Sequence, residues 1–302
     1  VVTAEDDEQG PDEPGPTASG ASTGHVRDKR RYLSLSAPFL TALGVTDAQH
    51  ALVPAMARKW KQINKFVEVL DHALDAARLQ PGAEGIRVVD FGAGKGYLTF
   101  ATHDYLVHQR PWPVQVTGVE LRSDLVDLCN AAVQRCGLNG LSFLCGDVRS
   151  VVPERVDVMI ALHACDTATD HALHTGIRAG ASIILSSPCC HKQIRPQMSL
   201  PPLLKPMLQH GIHLGQQAEM LTDSLRALLL EANGYDAQVF EFVALEHTSK
   251  NKMILAVRRP SGTRQDRARR DAVLRQISEI KAFYGITEHC LETLLADAAQ
   301  PA

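Results

Sequence analysis

No run of about 18 uninterrupted apolar residues occurs in the 302-residue chain, which excludes a conventional membrane-spanning helix. The first residues lack the basic-then-apolar pattern of a secretory leader, so the chain is expected to be soluble, away from any membrane and cytoplasmic. No C-x-x-C is present and no cysteine precedes Cys129, while the seven cysteines are odd in number and irregularly spaced. That usage argues against a secreted disulfide framework and for reduced thiols. Residues 1 to 20 contain no lysine or arginine but six acids: Glu5, Asp6, Asp7, Glu8, Asp12 and Glu13. Without them 31 basic face 28 acidic residues, so the overall charge of -3 conceals a body of +3, too small by itself to assign a nucleic-acid partner. No internal repeat is visible.

What is present divides the chain into four segments. Residues 1–24, acidic and rich in Pro, Gly, Ser and Thr, read as a disordered tail. Residues 25–80 form a helical extension in which Leu52, Met56, Trp60, Ile63, Phe66, Val67, Leu70 and Leu74 recur at three- and four-residue steps, with Asp47 a plausible N-cap. Between 81 and 260 short β-branched runs alternate with helical stretches. Strands are expected at 86–91, 114–121, 141–145, 156–162 and 181–187, with helices over 97–108, 123–136 and 168–179. "QVFEFVALEH" and "NKMILAVRR" read as an antiparallel pair at the sheet's edge. The expectation is an α/β fold: a doubly wound, seven-stranded, mostly parallel sheet of Rossmann-like form. Residues 261–302 are expected to be helical.

The sharpest signal is "VVDFGAGKGYLTF", where a strand ends at Asp90 and passes through Gly92, Ala93, Gly94 and Gly96 into a helix beginning at Tyr97. Glycines allow positive φ and close approach of backbone amides, and the helix start offers unpaired N–H groups. The Walker pattern fails because Lys95 is followed by Gly96, and G-x-G-x-x-G fails because Tyr97 takes the third glycine's place. An acid at position 90 would repel pyrophosphate yet attract an ammonium or sulfonium group. Glu120, next to Leu121 at the second strand's end, suits two ribose hydroxyls; Asp147, followed by Val148 after the third strand, suits an adenine amino group. Taken singly, each acid also has a structural reading, as a turn residue, a surface acid or an Asx-turn. Together and in this order they resemble the class I methyltransferases that bind S-adenosylmethionine.

Strand four runs through Leu162 into "ALHACDTATD" and strand five into "SSPCCHKQ", so His163, Cys165 and Asp166 are expected beside Cys189, Cys190 and His191. His163, Asp166 or His191 could act as a base toward a hydroxyl acceptor. Asp166 could instead support a capping box formed by Thr167 and Asp170, His163 could be a satisfied buried histidine, and His191 a phosphate-binding rim residue. Cys189 and Cys190 leave three readings open: a covalent nucleophile, a zinc ligand set shared with the histidines, or one thiol packed inward and one facing the pocket.

These segments, with "DKRRYL", "KWKQINKFVEVL" and "SKNKMIL", resemble a methyltransferase-like family that includes tRNA acceptor-stem ribose 2'-O-methyltransferases and ribosomal RNA adenine dimethylase domain-containing proteins. The likeness covers roughly Lys29 to Arg258. It implies methyl transfer from S-adenosylmethionine to RNA, tRNA or rRNA, with the cofactor at Asp90, Gly92, Gly94, Glu120 and Asp147. The zinc modules of the tRNA enzymes have no counterpart before Cys129. Lys29, Arg30, Arg31, Lys59, Lys61, Lys65 and Arg264, Arg267, Arg269 and Arg270 could track phosphates, but such runs are more often solvated helix faces, and the interleaved Asp266 and Asp271 favour that reading. Acceptor atom and oligomeric state are not encoded in any motif.

Overall fold

In the computed structural model of the chain, residues 32–151, 153–162, 164, 166–242, 252–260 and 264–297 are described. The acidic tail, His163 and Cys165 lie outside these, as does the expected hairpin connection "TSK". Chain order begins with α1 (Pro38–Ala42) and α2 (Ala57–Ala76). Then come β1 (Ile86–Phe91), α3 (Tyr97–His108), β2 (Val114–Glu120), α4 (Ser123–Arg135), β3 (Leu141–Cys145), β4 (Val158–Ala161), α5 (Thr167–Arg178) and β5 (Ile183–Ser186). The remainder is α6 (Lys205–Leu208), α7 (Gly211–Ala232), β6 (Tyr235–Glu241), β7 (Lys252–Arg258), α8 (Arg264–Tyr284) and α9 (Cys290–Asp297).

The seven strands form one sheet in the order β3-β2-β1-β4-β5-β7-β6. β1 to β5 pair in parallel, and β7 enters antiparallel beside β5 with β6 on its outer edge. The order reverses between β1 and β4, and an open α/β sheet has its crevice at such a point, outside the carboxyl ends of the strands. Side-chain alternation sorts the two faces. Ile86, Val88, Val116, Val158, Ile160, Ile183 and Leu185 pack with α1, α2, α3 and α4. Val89, Phe91, Val119, Met159, Ala161 and Ile184 pack with α5, α7, α8 and α9. Both faces are covered, which explains why these strands read as continuous apolar runs.

Three local expectations change. Asp47 does not cap α2: its carboxylate accepts from the Gln49 and Ala51 amides, closing a turn, and α2 starts ten residues later after a single 3-10 turn at Pro54–Met56. Thr167 and Asp170 form no capping box, because the Asp170 carboxylate is taken by Arg226 of α7. The 22-residue α7 itself went unforeseen, although Leu221, Leu225 and Leu229 carry a helical period.

α2 is tied to α3 by a buried polar knot in which the Tyr105 hydroxyl and the Arg110 guanidinium both donate to Asp71. Arg110 also reaches Asp75 at 2.7 Å. A carboxylate so deep in the core needs such partners, and here they fix the helix that approaches the crevice. Among the described residues, no helix is long and apolar enough to cross a membrane.

Candidate functional site

The crevice is built at the carboxyl ends of β1, β2 and β4. Its floor is the turn after β1, with Gly92, Gly94 and Gly96 at φ 74°, 58° and 71°. Gly94 is the position where a ligand would approach, since a Cβ added there would meet nothing within 4 Å. Gly96 is required for a different reason: its Cβ would lie 2.8 Å from the Phe143 ring, which fills the space under the turn. A cavity of about 170 Å3 lies here, lined by Lys59, Asp90, Ala93, Gly94, Lys95, Tyr97, Leu98 and Leu162.

Asp90 is 4 % exposed, and Thr99 is its hydrogen-bond partner among the described residues, donating to Oδ2 at 2.6 Å. Burial pushes its carboxyl up to about 7, against the Thr99 hydrogen bond, and the neighbouring Glu120 charge adds to the rise. Glu120 is set by backbone amides: Oε2 accepts from Gly94 at 2.8 Å and Oε1 from Arg122 at 3.1 Å. Each carboxylate oxygen keeps further lone-pair capacity for hydroxyl donors. Asp147 sits just beyond β3, where the Gly146 amide donates to the Glu120 carbonyl. Arg149 holds it with a two-point guanidinium contact, 2.9 and 2.6 Å, and a backbone N–H at 2.8 Å. These hydrogen bonds keep its carboxyl at about 2. Leu121 is exposed beside Glu120 and Val148 is half-buried.

The residues present fit S-adenosylmethionine. A buried carboxylate with no cation paired to it among the described residues matches a ligand that brings a positive group, and the bare glycine turn leaves room for one. Asp147 fits less directly, because Arg149 already occupies its oxygens in this conformation.

Strand register brings the second expected set to the same sheet edge. Ala161 pairs with Ser186, and the Ser187 amide donates to the Ala161 carbonyl at 3.2 Å. Leu162, the next residue on β4, lines the cavity, so "PCCH" leaves the sheet beside it. The Cys189 and Cys190 Sγ atoms are 3.4 Å apart, a thiol contact rather than a disulfide. The His191 ring lies toward Gly215 of α7, beside Arg195. His163 is outside the described residues. Asp166 stands at the start of α5 with φ 55° and ψ −130°, a backbone conformation costly for a residue with a Cβ.

Beneath this lip lies a set of residues that sequence reading missed. Arg226 is 2 % exposed and grips Asp170 with Nε and Nη2 at 2.9 and 2.7 Å, while the same Nη2 donates to the Asp166 carbonyl at 3.1 Å. Asp223 lies 3.8 Å from Nη1, and burial lifts its carboxyl to about 6. His289 of the same buried region is held down at about 4 by desolvation. The arginine inside the apolar run "LRALLLE" was the available signal. Lys59, one of the cations that could track phosphates or form a solvated helix face, lines the cavity wall.

Comparison with known proteins agrees with this layout. Residues 58–197 match the family model of a methyltransferase domain. The glutathione S-transferase C-terminal domain-containing protein of Homo sapiens is 26 % identical over 224 residues, covering 66 % of this chain and 33 % of that protein. The chain thus spans about a third of the length of the curated relatives it matches. Among solved structures, magnesium protoporphyrin IX methyltransferase from Synechocystis with bound SAH has a TM-score of 0.40 at 16 % identity, covering 66 % of this chain and 86 % of that one. A dimethyladenosine transferase from Plasmodium falciparum has a TM-score of 0.38 at 14 % identity, covering 64 % and 62 %. The stretch 58–197 is thus similar to a methyltransferase domain, and the crevice at Asp90, Gly94 and Glu120 lies within it.

Proposed function

We propose that the chain transfers a methyl group from S-adenosylmethionine to RNA, with tRNA or rRNA as the acceptor. The observation that carries the methyl-transfer half is the alignment of Asp90, Glu120 and Asp147 at three adjacent strand ends around an open glycine turn. The bound cofactor supplies an electrophilic methyl carbon. The chain's own contribution is positional: Glu120 is locked by two amides, Asp90 offers a buried negative charge, and Leu162 with the lip brings an acceptor within attack distance. At the lip, Asp166 or His191 serves as base, or His191 contacts an acceptor phosphate. Support for RNA comes from the family resemblance in "ALHACDTATD" and "PCCHK" and from the exposed Lys192, which ends that motif, and Arg195, which follows it. The experiment is incubation with radiolabelled cofactor and total RNA from cells lacking the protein, followed by nucleoside analysis. A labelled nucleoside is expected. Label in a protein fraction, with none in RNA, would instead select a protein acceptor; Leu203, Met207 and Ile212, at 85 %, 64 % and 70 % exposure after the lip, favour that second reading. Stable RNA binding without transfer to any fraction would make the chain a noncatalytic module of the same fold.

A further inference from the structure

The crevice wall contains a cation supplied from outside the strand-end motifs. Lys59 sits in the first turn of α2, near the start of the helix held against α3 by Asp71, Tyr105 and Arg110. Its side chain is half-buried in the cavity wall, and its Nζ lies 5.3 Å from the centroid of the Tyr97 ring. That ring begins α3, directly after the glycine turn. Nζ donates to Gln62 Oε1 at 2.6 Å, and among the described residues no carboxylate pairs with it. The other lysines of this helix behave differently: Lys65 pairs with Glu68 at 3.1 Å and Lys61 is exposed. Lys95, the second cation of the lining, is exposed as well.

A half-buried ammonium that keeps donor capacity and faces a ligand cavity calls for an anion. Within the cavity the ligand under consideration has one anionic group, the α-carboxylate of its methionine part. Its ammonium and sulfonium are matched by Asp90 and repelled by Lys59, so the two charged walls impose a direction on the ligand. We infer that Lys59 binds the α-carboxylate of S-adenosylmethionine, making α2 part of the cofactor site and setting the orientation of the methionine arm. This rests on the methyltransferase reading above. Desolvation already pulls the Lys59 ammonium below the ordinary lysine range, an electrostatic penalty that an arriving carboxylate removes. The aromatic face of Tyr97 keeps the ammonium near the cavity before the ligand arrives.

The test is calorimetric titration of the full chain and its Lys59→Met variant with three ligands: S-adenosylmethionine, S-adenosylhomocysteine, and decarboxylated S-adenosylmethionine. The last keeps the sulfonium and amino groups but lacks the carboxylate. Methionine preserves the apolar stem over Tyr97, and unchanged thermal unfolding checks the fold. Lys59→Met is expected to weaken the first two ligands alike, by roughly 10- to 100-fold for a charge-assisted contact, and to leave the third within about twofold. Lys59→Arg should restore most of the loss, and Lys65→Met should change nothing. Equal weakening of all three ligands, or of none, overturns the assignment. Unchanged ligand binding with a loss of RNA affinity would give Lys59 to an acceptor phosphate instead. If the unaltered chain binds none of the three, the methyltransferase reading itself fails, a result distinct from failure of the Lys59 contact.

Discussion

Asp90→Asn separates what the crevice does for the ligand from what it costs the fold. The wild-type carboxyl is raised from 3.8 to about 7, chiefly by burial, with the Glu120 charge contributing and the Thr99 hydrogen bond opposing. Each tenfold change in an equilibrium is about 1.4 kcal/mol, so ionising Asp90 in the folded chain above pH 7 costs on the order of 4 kcal/mol relative to the unfolded chain. The sign follows from proton counting. Between pH 4 and 7 the folded state holds a proton that the unfolded state has released. Stability from this group is therefore intact below pH 4, falls as pH rises toward 7, and is level above that. Asparagine keeps the shape and can still accept from the Thr99 hydroxyl, but it never ionises. The two proteins should melt alike near pH 4, whereas at pH 8 the variant should be several degrees more stable, at roughly 2 °C per kcal/mol for a domain of this size. Measuring the difference in Tm between variant and wild type across pH 4 to 8 isolates Asp90 from the opposing titrations of Asp223 and His289. The more stable variant should bind S-adenosylmethionine more weakly, since the negative charge that burdens the fold is the one offered to the cofactor. A Tm difference that does not change with pH would refute the buried, cation-free environment assigned to Asp90.

Other perturbations address the lip and the packing below the turn. Arg226→Met leaves Asp170 buried without its partner and should cost about 3–5 kcal/mol in denaturant unfolding, most of it recovered by adding Asp170→Leu. Failure of the second change to recover stability would show that Arg226 acts through packing rather than charge. Asp166→Ala or His191→Ala should lower kcat while leaving cofactor affinity by calorimetry nearly unchanged; equal loss of both would contradict a role confined to the acceptor side. In Gly118→Ala, the new Cβ would lie 2.4 Å from the Phe143 ring, an overpacking worth about 1–3 kcal/mol. Phe143→Leu in the same chain should relieve it, as read from thermal unfolding.

The fold was legible in the sequence because its layers announce themselves locally. β1 and β3 begin and end where the short apolar runs "IRVVDF" and "LSFLC" do, and α3 begins at Tyr97 because three glycines precede it. The acids at positions 90, 120 and 147 were legible for the same reason, since a residue at the end of a strand has its place decided by the strand. Side-chain partners were not. Asp47 and Asp170 both carried local signals for helix starts, yet one closes a turn and the other meets an arginine 56 residues away. Arg226 and Lys59 acquire their roles from helices that pack against the sheet from outside the strand-and-turn pattern. Sequence alone determines which elements form, through short-range periodicity and backbone preference. Tertiary structure decides which charges are stripped of water and which partner each then meets, because burial and proximity across the chain are properties of the packed whole.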